Sequence, residues 1–115
     1  MSFNLEQLKK LVSDDKDAQI SFVSLFISEI EGNEIPQILS SLESKDVSTL
    51  KNKAHAIKSN VKFFGYNGLS SRLNELEKKL VSRESLNSEL VNDVKHCVQE
   101  LQVACDELKN WKNKQ

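Results

Sequence analysis

Residues 47–65 read VSTLKNKAHAIKSNVKFFG, a run patterned as one amphipathic helix. Its apolar residues Val47, Leu50, Ala54, Ile57, Val61 and Phe64 follow alternating steps of three and four, which lines one face of a helix. Asp46 stands where an N-cap belongs and Gly65 where a left-handed C-cap belongs. The pattern predicts a helix from Val47 to Phe64 with one continuous buried stripe. At about 100° per residue, His55 falls about 130° from the centre of that stripe, so it projects away from the core at mid-helix. Lys51, Asn52, Lys58, Ser59 and Lys62 stand one or two turns from it on the same side. An exposed imidazole among ammonium groups and small polar side chains is a candidate acceptor for an anionic group, although periodicity alone favours a plain solvated surface histidine.

Outward from this helix the period stays helical. Leu5, Leu8, Leu11 and Val12 predict a short first helix that ends before Ser13-Asp14-Asp15. Those aspartates cap a second, whose apolar face runs Ile20, Val23, Ile27, Ile30, Ile35, Ile38, Leu39 and Leu42. Pro36 lies inside that pattern, so a kink near Gly32–Ile35 or a break there is expected, and one long kinked helix is favoured because the stripe resumes in phase after the proline. Downstream, Asn67 is expected to cap a helix carrying Leu69, Leu73, Leu76 and Leu80. Ser85 is expected to cap a long last helix facing Leu90, Val94, Cys97, Leu101, Ala104 and Leu108 inward. Connections are short and no repeat interrupts them. The expected architecture is all-α: an antiparallel up-and-down four-helix bundle with a short additional N-terminal helix, one domain over residues 1–115.

Composition removes other classes. With 38% hydrophobic and 29% charged residues the 115-residue chain is too apolar for disorder. Three Gly and one Pro leave too little turn punctuation for a sandwich or barrel. Sixteen basic against seventeen acidic residues give no electrostatic footprint for nucleic acid or an anionic membrane. The densest apolar run, Phe22–Ile27, is far short of the roughly 20 residues that span a bilayer, and the mixed-charge start is no signal peptide. Cys97 and Cys105 lie eight apart, about 12 Å along a helix, too far to bridge. Two buried reduced thiols in a cytoplasmic protein are expected, and the two His and two Cys lack metal-ligand spacing.

His96 is an internal control. It also projects outward, but Asn92 and Glu100 lie one turn to either side. Its acidic neighbour favours a cation over an added phosphate, so it reads as a solvated helix residue.

The segment Ala54-His55-Ala56-Ile57-Lys58-Ser59, followed by Gly65, resembles the phosphoacceptor motif of histidine phosphotransfer (HPt) proteins. That motif reads A-H-x-[LI]-K-G with a second glycine ten residues after the histidine. Leu69 and the pair Leu76-Glu77 match the family downstream, and Phe22, Phe26 and Pro36 match its second helix, so the resemblance spans nearly the whole chain. Ser59 departs from it, replacing the glycine that lets a receiver domain approach closely.

The resemblance implies a phosphocarrier that moves a phosphoryl group between receiver-domain aspartates. His55 would be the phosphoacceptor and Lys58 would stabilise the phosphoryl oxygens. Lys51, Asn52, Ser59, Lys62 and Gly65 would lie where a partner docks. The partners implied are response-regulator receiver domains and hybrid histidine kinases. No cofactor is expected on this chain, because Mg²⁺ would sit on the receiver. These 115 residues hold no ATP-binding domain and no glycine-rich phosphate loop, so no autokinase activity is expected. A monomer in the cytoplasm is expected, and the initial Met points to a free-standing protein.

Two alternatives remain beside this reading. A sensor-kinase dimerisation and phosphoacceptor domain usually has an acidic residue after its histidine, where this chain has Ala56, and needs a second chain to close its core. A degenerate HPt bundle that only docks partners would have no need of His55 and Lys58.

Overall fold

Each run of apolar residues spaced by threes and fours becomes a helix. A computed structural model describes residues 3–82 and 85–115; Met1, on which the expectation of a free-standing protein rests, lies outside them. The elements are α1 (Glu6–Val12), α2 (Lys16–Glu29), a π-helical turn (Ile30–Glu34), α3 (Ile35–Glu43), α4 (Val47–Phe63), α5 (Asn67–Val81) and α6 (Ser88–Asn113). Among the described residues there is no strand. The π turn joins α2 to α3 without a break, so the four-helix count is one long bent helix, α4, α5 and α6.

Pro36 explains the π turn. It has no N–H to give, and its ring would collide with the Gly32 carbonyl in a regular α-helix. The chain widens instead: the Ile35 N–H bonds to the Ile30 carbonyl, one residue further back than α-helical bonding reaches. Contrary to the expectation from spacing, the buried stripe therefore does not resume in phase: the extra residue of the π turn makes it step by five, from Ile30 to Ile35, before continuing to Ile38. Leu39, expected inside, is turned outward by the same shift, and Phe26 fills core space that the stripe left unassigned.

The helices are stopped and started by local chemistry. Asp15 accepts from the Ala18 N–H and Asp46 from the Thr49 N–H, as N-caps do. Two expected caps are displaced. Tyr66, not Asn67, takes the cap position of α5, and its side chain makes no cap bond there. Asn87, not Ser85, caps α6, accepting from the Leu90 N–H at 2.8 Å.

Gly65 closes α4 in the left-handed region at φ +86°. The Tyr66 N–H reaches back to the Val61 carbonyl (3.0 Å) and the Gly65 N–H to that of Lys62 (2.9 Å), the paired bonds of a Schellman turn. The N-terminal segment lies across this turn, with the Asn4 N–H donating to the Phe64 carbonyl at 2.8 Å. A side chain on Gly65 would collide with Asn4.

Around the bundle, the long helix packs on α4, α4 on α5, α5 on α6, and α6 back on α2 and the π turn. The particle measures 46 × 21 × 20 Å. Leu50, Ala54, Ile57 and Val61 of α4 meet Leu69, Leu73, Leu76 and Leu80 of α5, all buried. Tyr66 is 1% exposed; its hydroxyl donates to Glu107 Oε1 at 2.9 Å, fastening the α4–α5 corner to α6. Cys97 and Cys105 are buried free thiols. Burial pushes them up to about 11 and about 12, which leaves both unreactive near neutral pH. No helix among the described residues is long and apolar enough to cross a membrane.

Candidate functional site

The stripe that buries Ala54 and Ile57 turns His55 outward, and its side chain is 67% exposed at mid-helix. The ring is nonetheless fixed on one side. Its Nδ1 lies 2.7 Å from Glu77 Oε2, on the facing surface of α5. The other carboxylate oxygen, Oε1, takes the Lys58 ammonium at 2.7 Å, and Asn74 Oδ1 takes the same ammonium at 3.1 Å. Glu77 thus joins the imidazole to the lysine one turn along. Leu73, Leu76 and Leu80 pack this part of α5 against α4 and hold that bridge in register.

The electrostatics assign the ring hydrogen. The hydrogen bond from Lys58, first, and that from His55 hold the Glu77 carboxyl below its usual range, so it is ionised at neutral pH and can only accept. Nδ1 must therefore donate. In the neutral ring the lone pair then lies on Nε2, the nitrogen turned away from Glu77.

The surroundings differ on the two flanks of α4. Towards α5 runs a polar cleft of about 470 Å³ lined by Lys58, Ser59, Lys62, Asn67, Ser70, Ser71 and Asn74. Towards α1 and α2 runs an apolar groove of about 300 Å³, whose lining includes Leu11, Phe22, Leu25, Phe26 and Phe63. Leu11 and Leu25 are more than half exposed there. No group of three or more His, Cys, Asp or Glu converges among the described residues.

The family profile of the Hpt domain matches residues 21–111. The chain belongs to the Hpt domain family. A search of curated proteins and one of solved structures each returned no significant match. Hpt domains are phosphocarriers of two-component phosphorelays and interact with receiver domains and kinases.

In this Hpt domain, the residues singled out in the sequence fall as follows. His55 and Lys58 come together through Glu77. Asn52, Ser59 and Lys62 are exposed around them, and Lys51 is half-buried. Gly65 lies at the end of α4 under Asn4, where backbone conformation and close packing both require glycine.

Glu77 and Asn74 are the residues that sequence reasoning missed. They stand 22 and 19 positions after His55, so only the docking of α5 on α4 brings them to the ring and the lysine. The Leu76-Glu77 pair was visible as a motif, yet nothing in its spacing says which side chain the carboxylate meets.

His96 differs from His55 in another way than the sequence suggests. Its Nε2 does meet Glu100, at 3.0 Å, and Arg72 shares the same carboxylate oxygen at 2.7 Å. An acidic neighbour therefore does not separate the two histidines, since His55 has one as well. What separates them is the nitrogen engaged. Glu77 leaves Nε2 of His55 open, whereas Glu100 occupies Nε2 of His96.

Proposed function

We propose that this Hpt domain carries its phosphoryl group on Nε2 of His55, passing it between receiver-domain aspartates. The observation that carries the reading is the Nδ1–Glu77 hydrogen bond on an otherwise exposed imidazole, which leaves the outer nitrogen as the nucleophile.

Phosphoryl transfer needs in-line positioning and charge neutralisation more than acid–base chemistry. The imidazole is pinned from the α5 side, so its Nε2 is presented at a defined angle. Lys58 lies beside the ring on the same carboxylate and supplies the nearest positive charge for the phosphoryl oxygens. Lys51 and Lys62 add weaker attraction that salt screens. Mg²⁺ comes with the receiver's acidic site, since the carboxylate on this face, Glu77, is already engaged by His55 and Lys58. The apolar groove beside α4 gives the receiver a surface to bury, and the exposed Asn52 and Ser59 stand one turn to either side of the histidine on α4. The protein acts as a monomer in the cytoplasm, with no kinase activity of its own, and its partners are response-regulator receivers or hybrid kinases.

The test is labelling by a receiver phosphorylated on aspartate, followed by mapping of the modified residue. One phosphoryl group on His55 supports the reading. Label on His96, or label that persists in His55→Gln, overturns it.

A further inference from the structure

The Nδ1–Glu77 contact has consequences after the phosphoryl group has arrived. When the Nε2 lone pair attacks phosphorus, the N–P bond forms and the P–O bond to the donor aspartate breaks, its electron pair leaving on that carboxylate. The ring then carries hydrogen on Nδ1 and phosphorus on Nε2, and is formally cationic. Oε2 of Glu77, 2.7 Å from Nδ1, faces that new charge with a negative one. In the onward step an acceptor carboxylate attacks phosphorus, the N–P bond breaks, and the pair returns to Nε2. A neutral imidazole with hydrogen on Nδ1 leaves. Neither direction moves a proton. If Nδ1 lost its hydrogen, the leaving group would be an imidazolate anion, and discharge would slow.

We infer that Glu77 is a positioning residue that keeps phospho-His55 in its protonated, readily discharged form well above neutral pH, so that the carrier exchanges its phosphoryl group rather than storing it. The inference rests on the reading of His55 as phosphoacceptor. The ring is faced by Glu77 from α5 and by Lys58 from its own helix. Lys51 and Lys62 stand one and two turns off along α4, and the cations Lys53 and Lys78 of these two helices are taken by Glu34 and Glu75. Glu77 is therefore the one carboxylate in contact with the ring among the described residues. His96 marks the contrast, since there the carboxylate of Glu100 meets Nε2 rather than Nδ1.

The full chain can be phosphorylated without a partner by phosphoramidate, a small phosphodonor, and the modified residue mapped. Phosphoryl loss is then followed from pH 5 to 10 in the wild type, Glu77→Gln, Glu77→Asp and Lys58→Gln. The pH at which loss slows should fall by about one unit or more in Glu77→Gln, so that at pH 8 its phosphorylated form lasts about tenfold longer. Glu77→Asp should recover part of that shift. Lys58→Gln should not lower the midpoint, because removing a cation favours the charged ring. A purely structural role for Glu77 would change rates without moving the midpoint. Label on His55 with superimposed wild-type and Glu77→Gln profiles overturns the inference and leaves the phosphoacceptor reading standing. Label on any other residue overturns both.

Discussion

Replacing Gly65 by alanine sets two costs against the fold at one position. Gly65 sits at φ +86°, where a residue with a Cβ costs about 1–2 kcal/mol. The new Cβ would also come within 2.8 Å of Asn4 Cα, well inside van der Waals contact, so the N-terminal segment must move off. That movement breaks the 2.8 Å hydrogen bond from the Asn4 N–H to the Phe64 carbonyl, which contributes about 0.5–1.5 kcal/mol. The two losses together come to about 1.5–3.5 kcal/mol, or about 6–14 °C in Tm for a domain of this size. Urea and thermal melts followed by circular dichroism at 222 nm measure it. Below the lowered melting temperature, labelling of His55 should remain near wild type, because the site lies nearly three turns away. A stability loss under about 0.5 kcal/mol would refute the packing argument. Unchanged stability with impaired transfer would place Gly65 in partner docking instead.

Lys45 provides the opposite sign: it holds φ +60° at the end of α3, so Lys45→Gly should raise stability by about 0.5–1 kcal/mol in the same melts. Lys58→Ala should slow transfer from a phosphorylated receiver about ten- to a hundredfold without abolishing it, since the lysine neutralises charge and forms no bond to phosphorus; rapid-quench kinetics read this directly. Glu31 binds Lys109 and Gln102, and these hydrogen bonds, that from Lys109 first, hold its carboxyl below the ordinary 4.5. The unfolded chain therefore takes up this proton first, so the contribution of Glu31 is complete above about pH 4.5 and is lost as pH falls below it. Glu31→Gln should flatten the decline of stability with acidity, measured by urea melts between pH 6 and 3.

The helical architecture was legible because burial imposes its own period. Leu50, Ala54, Ile57 and Val61 announce a stripe whatever the rest of the chain does, and His55 is exposed as a corollary. Helix ends were less legible, because several residues compete for each cap. Ser85, Asn87 and Ser88 can all accept from an N–H, and it is Asn87 that takes the Leu90 N–H. At α5 the Schellman turn ends so abruptly that Tyr66 is carried into the cap position ahead of Asn67, with its ring sent into the core. The kink at Pro36 was readable, but its form as a π turn depends on which carbonyl each N–H selects. Lys45 takes a left-handed conformation that no residue type there announces. At the site, local spacing could find His55 and Lys58, which share a helix. Glu77 belongs to the next helix, and the register between α4 and α5 is set by leucines that say nothing about charge.

Mapping the phosphorylated atom decides whether Nε2 of His55 is the carrier. Protein labelled by a receiver phosphorylated on aspartate should carry one phosphoryl group, stable in base and lost in acid, at Nε2 of His55 by phosphorus–proton correlation spectroscopy. His55→Gln should abolish it with unchanged helical circular dichroism, and His96→Gln should leave it intact. A phosphoryl group on Nδ1 of His55, on His96, or still present in His55→Gln would contradict the account.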